Sequence, residues 1–237
     1  MRLCWVRECH CDHGRVKNAN STCLIGRALD QDLARLLDRP VRIANDADCF
    51  ALSEATDGAG AEAASVFGII LGTGVGGGIV VDGRLMSGPN AIAGEWGHNP
   101  LPWARSDDAP APLCYCGKRG CIEAYLSGPG FARWYRQAGG ASVSAHDIVV
   151  LAKTNDILAK SALEHYLDRL ARALASVINL IDPEIIVVGG GLSNIDLLYD
   201  EIPKRWGAYV FSDRVNTLFA KARYGDSSGV RGAAWLW

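Results

Sequence analysis

Val66-Phe67-Gly68-Ile69-Ile70-Leu71-Gly72-Thr73-Gly74-Val75-Gly76-Gly77-Gly78-Ile79-Val80-Val81 is the stretch that decides how this chain is to be read. It belongs to an uncharged segment, Ala63 to Val81, about as long as a helix that spans a bilayer. Six of its residues are glycines, and each costs a helix about 1 kcal/mol against alanine. The glycines cluster between two β-branched runs. The pattern therefore predicts two buried strands, Val66 to Leu71 and Ile79 to Val81, joined by a glycine loop, with Asp82-Gly83 as a tight turn after them. No membrane association is expected.

Downstream the same logic recurs. Leu163, Tyr166, Leu167, Leu170, Leu174, Val177, Ile178 and Ile181 fall at three- and four-residue steps, predicting one long amphipathic helix over Asp156 to Ile181. Asp182-Pro183 ends it. Glu184-Ile185-Ile186-Val187-Val188 then reads as a buried strand running into Gly189-Gly190-Gly191, with Ser193 or Asn194 as the next helix cap. Strand, glycines and helix in that order are an α/β signature. Ala104 to Leu113, with its Asp107-Asp108 and its prolines, reads as an exposed loop. Ala138-Gly139-Gly140 separates two further helices.

The bulk chemistry narrows the class. With 237 residues the chain has one to two domains. Lys plus Arg is 24 against 26 for Asp plus Glu, a net charge of −2, so the basic excess needed to bind a phosphate backbone is missing and no nucleic-acid partner is expected. Met1 to Gly14 is interrupted by Arg2, Arg7, Glu8 and Asp12, unlike a secretory leader, and a cytoplasmic location is expected. Eight cysteines in a reducing compartment read as metal ligands or small core residues.

The densest chemistry is Cys114-Tyr115-Cys116-Gly117-Lys118-Arg119-Gly120-Cys121. Three thiols with glycines between them can fold around one ion, and zinc takes Cys₃His as a closed structural set. His98, in Gly94-Glu95-Trp96-Gly97-His98, is the expected fourth ligand. The alternative is three core cysteines and an unrelated histidine. Cys4, Cys9, His10, Cys11 and His13 also offer donors, but their spacing fits no zinc pattern. Asn45-Asp46-Ala47-Asp48 falls where a strand through Val41 and Ile43 meets a helix through Phe50 and Leu52. A carboxylate there projects into a ligand-binding crevice, or Asp46 or Asp48 is simply the N-cap. Gly72 to Gly78 and Gly189 to Gly191 are glycine loops able to offer backbone N–H groups to phosphate. Glu95 and Glu123 each stand beside an expected zinc ligand and suit recognition of sugar hydroxyls.

Together these stretches resemble the ROK family of bacterial sugar kinases, above all in Cys-x-Cys-Gly-x-x-Gly-Cys-x-Glu following Glu-x-Gly-His. Residues 16–22, 98–103 and 225–235 look most like its fructokinase branch, and the resemblance covers roughly Gly14 to Trp237. It implies an α/β, two-lobed, actin- and hexokinase-like (ribonuclease H-like) ATPase fold. Residues 1–62 would belong to the first lobe, with 225–237 packing back on it, and 63–224 would form the second lobe with the zinc loop. It also implies transfer of the ATP γ-phosphoryl group to a hexose, expected to be fructose, with an N-acetylhexosamine, glucose or a non-catalytic sugar-binding or repressor role as alternatives. By this resemblance Asp46 is the general base. Asn20, Asn45, Glu95, His98 and Glu123 hold the sugar; Gly72, Thr73, Gly74, Val75, Gly76, Gly77 and Gly78 meet the phosphates; Gly189, Gly190 and Gly191 face the nucleoside. His98, Cys114, Cys116 and Cys121 hold zinc, magnesium accompanies ATP, and a homodimer is expected. The family's opening Asp-x-Gly-Gly-Thr loop does not occur before Asn18. The expectation is an incomplete first lobe with an unpaired edge on the strand before Asn45, and a truncated chain that is weakly active or inactive as a kinase.

Overall fold

A computed structural model describes residues 3–6, 10–12, 14–17 and 22–237. The strands are β1 (Leu3–Val6), β2 (His10–Asp12), β3 (Arg15–Lys17), β4 (Val41–Ala44), β5 (Ser65–Leu71), β6 (Val75–Val81), β7 (Arg84–Leu85), β8 (Ile185–Gly189) and β9 (Leu218–Lys221). The helices are α1 (Leu29–Leu37), α2 (Asp46–Thr56), α3 (Ile122–Leu126), α4 (Gly128–Gln137), α5 (Ala145–Lys153), α6 (Ile157–Ile181), α7 (Leu197–Arg205) and α8 (Ser228–Ala234).

The central sheet has the order β7-β6-β5-β8-β9. β5 pairs antiparallel with β6 and parallel with β8, which pairs parallel with β9. Both faces of β5 and β8 are covered, which is why each reads as a continuous apolar run. Phe67, Ile69, Leu71, Ile186 and Val188 face the larger core, where α6 contributes Tyr166, Leu167, Leu170 and Leu174. Val66, Ile185 and Val187 face the other way, toward Phe50 and Ala51 of α2. Gly68 lets that helix lie close, since a Cβ there would come within 2.7 Å of the Ala51 backbone.

The glycine-joined strands, the Asp82-Gly83 turn and the long helix are as the sequence predicts. The α6 N-cap is Asp156, whose side chain accepts from the Ala159 N–H, and Asp182 closes the helix in left-handed geometry. Other expectations are corrected. β6 begins at Val75, because the glycines themselves pair with β5. Ser193 and Asn194 lie inside a short 3-10 turn, and α7 starts only at Leu197. The strand before Asn45, β4, is paired in parallel with β1. The proline loop carries a 3-10 turn whose Asp108 is buried, since two arginines of α6 draw its carboxylate inward.

Helix α8 packs on α2. The backbones are so close at Gly232 that a Cβ would fall 1.6 Å from the Cys49 carbonyl oxygen. Buried Glu54 ties the pair together, accepting from the Ser228 hydroxyl (2.6 Å) and from the backbone N–H groups of Ala59 (2.9 Å) and Arg223 (3.0 Å). Among the described residues no helix is long and apolar enough to cross a membrane.

Candidate active site

At the end of β4 the chain turns into α2 through Asn45, an extended residue whose side-chain oxygen accepts from the Ala47 N–H at 2.8 Å. The cap is therefore Asn45, correcting the local reading of Asp46 or Asp48 in that role. Asp46 becomes the first helical residue, half-buried, with Oδ1 also 2.8 Å from the Ala47 N–H, where the helix N-terminus favours negative charge. The Asn45 amide donates to Glu95 Oε1 at 3.3 Å. Glu95 is held by a tight turn against β6: Gly94 is left-handed, and a Cβ on Gly94 or Gly97 would strike the carbonyl oxygens of Gly77 or Val75 at 2.4 and 2.2 Å. Trp96 Nε1 donates to the Gly76 carbonyl at 3.0 Å.

These contacts divide the stretch Gly72 to Gly78, expected as one loop, between a turn and a strand. Val75 to Gly78 belong to β6, and glycine there admits close neighbours. A Cβ on Gly76 would meet Ala47 Cβ at 3.0 Å, one on Gly78 the Ala47 carbonyl at 2.7 Å, and one on Gly77 the Gly94 carbonyl at 2.7 Å. The turn itself is Gly72, Thr73 and Gly74, with Thr73 exposed and the Gly72 N–H donating to the Gly74 carbonyl at 3.0 Å. It lies beside the second glycine loop. Gly190 is left-handed with no room for a side chain, since a Cβ would sit 2.5 Å from the Leu71 carbonyl oxygen; Gly189 abuts the Phe50 ring, whereas Gly191 borders open space. Both loops leave the carboxyl ends of the adjacent parallel strands β5 and β8, the usual ligand position in α/β sheets.

Sequence reasoning missed a third component, the start of α4. The Gly128 N–H donates to the Gly72 carbonyl at 2.7 Å, and Ser127 caps the helix by accepting from the Gly130 N–H at 3.1 Å. The available signal was Ser127-Gly128-Pro129, a cap residue followed by proline in the first turn.

The cysteine block forms a compact knuckle. Left-handed Gly117 and Gly120 reverse the chain, and the Cys114 N–H donates to the Lys118 carbonyl at 2.8 Å. One donor atom from each of His98, Cys114, Cys116 and Cys121 lies within 4.8 Å of every other. Cys116 Sγ and Cys121 Sγ are 3.6 Å apart, and Cys114 Sγ is 3.7 Å from His98 Nδ1. A tetrahedron with Zn–S bonds of about 2.3 Å has S···S edges of about 3.8 Å. The donor set therefore fits zinc. Burial, reinforced by the neighbouring thiols, pushes the Cys121 thiol up to about 12. Burial also raises Cys114, while the Lys118 backbone N–H lowers Cys116.

His98 Nε2 points away from the cluster, 3.0 Å from the Tyr115 hydroxyl and 3.9 Å from Glu95 Oε2. Glu123, at the start of α3, accepts from the Val75 N–H at 3.0 Å through Oε2, with Oε1 3.8 Å from Cys114 Sγ. Asn45, Glu95, His98 and Glu123 are thus one connected set, anchored on the knuckle and on β6. Asn20 lies outside the described residues, as do the side chains of Cys4, Cys9, His10, Cys11 and His13.

A mixed five-stranded sheet with two glycine loops at the carboxyl ends of its adjacent parallel strands, and a polar cluster built on a Cys₃His knuckle, make up the candidate site. The chain belongs to the ROK family, whose profile matches residues 12–237. It is 46% identical over 229 residues to an N-acetyl-D-glucosamine kinase of Yersinia pseudotuberculosis serotype O:3 (strain YPIII), covering 95% of this chain and 75% of that protein. Its structure resembles the ROK hexokinase of Thermus thermophilus with a TM-score of 0.83 and 26% identity, covering 98% of this chain and 76% of that one. It resembles a Streptomyces griseus ROK family glucokinase in complex with glucose and AMPPNP with a TM-score of 0.82 and 28% identity, covering 97% and 78%. The two-lobed actin-like fold expected from the motifs is the fold of this family. The expected fructokinase likeness is corrected, because the high-identity relatives are N-acetylglucosamine kinases.

Proposed function

We propose that this chain transfers the γ-phosphoryl group of ATP to O6 of N-acetyl-D-glucosamine. The observation that supports this reading is the connected set Asn45–Glu95–His98 next to Asp46 at the head of α2, polar groups of the kind that bind sugar hydroxyls. The similarity over nearly the whole chain to N-acetylglucosamine kinases supports the choice of sugar above fructose.

ATP, entering as its magnesium complex, is a substrate here. The turn Gly72–Gly74, the start of α4 and Gly189–Gly191 supply backbone N–H groups and clearance for its phosphates and nucleoside. Asn45, Glu95, His98 and Glu123, with Asn20, orient the sugar hydroxyls. Asp46 takes the O6 proton as that oxygen attacks the γ-phosphorus. Phosphoryl transfer asks mainly for positioning and charge stabilisation, so the rigidity of the pocket matters as much as the base. His98, Cys114, Cys116 and Cys121 would hold a structural zinc, which would fix the segments that carry the sugar-binding carboxylates. Residues 1–62 with 225–237 form the first lobe and 63–224 the second, and the protein works in the cytoplasm as a homodimer.

ADP release measured in parallel on N-acetylglucosamine, N-acetylmannosamine, glucose and fructose tests the proposal. The expected result is the highest kcat/KM on N-acetylglucosamine. A higher value on any other sugar, or sugar binding without turnover, overturns it.

A further inference from the structure

The zinc set is assembled from two segments, His98 and the Cys114–Cys121 knuckle, and the loop between them must return the chain to the same point. Thirteen residues rich in proline and charge, 101–113, have no sheet or long helix to hold them. Backbone bonds join the loop's ends to the knuckle, the Leu101 N–H to the Gly120 carbonyl (2.8 Å) and the Gly120 N–H to the Pro112 carbonyl (2.9 Å), and its middle is anchored by a buried ion cluster on α6. Arg172, 1% exposed, donates from Nη1 to the carbonyls of Pro102 (3.1 Å) and Trp103 (2.8 Å) and to Asp108 Oδ2 (2.9 Å). Its Nη2 reaches Asp108 Oδ1 at 3.2 Å and its Nε reaches Asp168 Oδ2 at 2.9 Å. Arg169 adds bonds to Asp108 Oδ1 (2.7 Å) and to the Asp107 carbonyl (3.1 Å). The Arg105 N–H closes onto Asp108 Oδ2 at 2.8 Å. The Arg105 guanidinium also lies 3.3 Å from Asp168 Oδ1, so the two carboxylates face three guanidinium groups.

The anchored atoms lead directly to the site. Pro102 and Trp103 follow His98 by four and five residues, and Trp103 holds a left-handed conformation (φ 47°) that a free loop relaxes. The Asp108 carbonyl accepts from the Tyr125 hydroxyl at 2.9 Å, and Tyr125 lies two residues beyond Glu123 on α3. We infer that Arg172, with Asp108 as its partner, is a positioning residue for sugar binding: it sets the path of the 101–113 loop, and thereby brings His98 to the cysteine knuckle and Glu95 and Glu123 to the sugar. The inference rests on the zinc-bearing sugar site proposed above. The chemistry requires arginine, because two backbone carbonyls and two carboxylates on different sides call for a planar fork of five donors. A lysine ammonium keeps the charge but serves one such direction at a time.

The test uses the zinc-loaded full chain carrying Arg172→Lys, with Leu170→Ala as a comparison. Leu170 is fully buried on the same helix, so its truncation weakens the core while removing none of the loop's hydrogen bonds. Zinc release to a chromogenic chelator, KM for the sugar and KM for ATP are measured for both. Loss of a group that orients metal ligands costs about 10–100-fold in metal affinity. Arg172→Lys is therefore expected to release zinc at least about tenfold faster and to raise the sugar KM by a similar factor, with the ATP KM little changed. Leu170→Ala is expected to release zinc as the wild type does. Equal behaviour of the two variants, or zinc release and sugar KM unchanged in Arg172→Lys, overturns the inference. Should Arg172→Lys fail to fold, Tyr125→Phe decides: it removes only the bond to the Asp108 carbonyl, and zinc release no faster than wild type overturns the inference. Absence of zinc from the purified wild-type protein would instead defeat the zinc reading itself.

Discussion

Gly232→Ala puts the contact between α8 and α2 to a direct test. Alanine is the better helix former by about 1 kcal/mol, so helix propensity alone predicts a more stable protein. The structure predicts the reverse. The new methyl carbon would lie 1.6 Å from the Cys49 carbonyl oxygen and 2.3 Å from its carbon, both backbone atoms in the middle of α2. A non-bonded contact needs about 3.5 Å, so one helix must retreat by about 2 Å, and no rotamer change relieves it. That retreat also stretches the 2.6 Å bond between Ser228 and Glu54. Overpacking costs about 1–3 kcal/mol, and a clash of backbone with backbone belongs at the upper end, leaving a net loss of about 2 kcal/mol after the gain in propensity. With a urea slope of about 1–3 kcal/mol per molar, the unfolding midpoint should fall by about 1 M. Gly207→Ala is the control, because a Cβ there meets nothing within 4 Å. A Gly232→Ala midpoint at or above that of the wild type would refute the reasoning.

Other outcomes follow from the site. Asp46→Asn should keep sugar affinity and lower kcat by about 10²–10⁴-fold; turnover within a few-fold of wild type would remove Asp46 from the role of base. Cys116→Ser should purify with substoichiometric zinc, checked by metal analysis, and with a raised sugar KM. Gly191→Ala enters open space, so it should leave the unfolding midpoint unchanged while raising the KM for ATP; an unchanged KM would place the nucleotide elsewhere. Burial works to raise the Asp108 carboxyl, but Arg172, the Arg105 N–H and Arg169 outweigh it and hold the group below its ordinary value of 3.8. Its folded pKa is depressed, so its contribution to stability is present above that ordinary value and fades as pH falls through the folded one. The stability gap between wild type and Asp108→Asn should be flat from pH 7 to about 5 and close below about 4.

The parts of this protein legible in its sequence are those whose cause is local. The β5–β6 glycine turn, α6 with its Asp156 cap and the cysteine knuckle each declare themselves through periodicity, capping chemistry or spacing within a few residues. Asn45-Asp46 was legible as a junction, but which residue caps was not, since both side chains can accept the same N–H. Gly76, Gly77 and Gly78 show the limit more sharply. A glycine that lets a helix lie against a strand is locally indistinguishable from one that admits a phosphate, and here the neighbours, Ala47 and Gly94, come from segments distant in sequence.

Asp108 was hidden for a related reason. Asp-Asp in a proline-rich loop has the composition of a solvated turn, and its partners Arg169 and Arg172 are 61 and 64 residues away. The one available sign lay on the helix. Arg172 stands inside Leu170-Ala171-Arg172-Ala173-Leu174, a run of apolar neighbours, and a charge forced into such a face must meet a buried counter-charge, because leaving it unpaired there costs about 3–5 kcal/mol. Reading that arginine as a demand for a distant carboxylate would have pointed to Asp107 or Asp108, the acidic pair in the loop between His98 and Cys114. The same step links fold to function. The helix that fills the main core also carries the charges that seat the loop leading into the Cys₃His knuckle, so the packing of α6 and the path of that loop are set by one element.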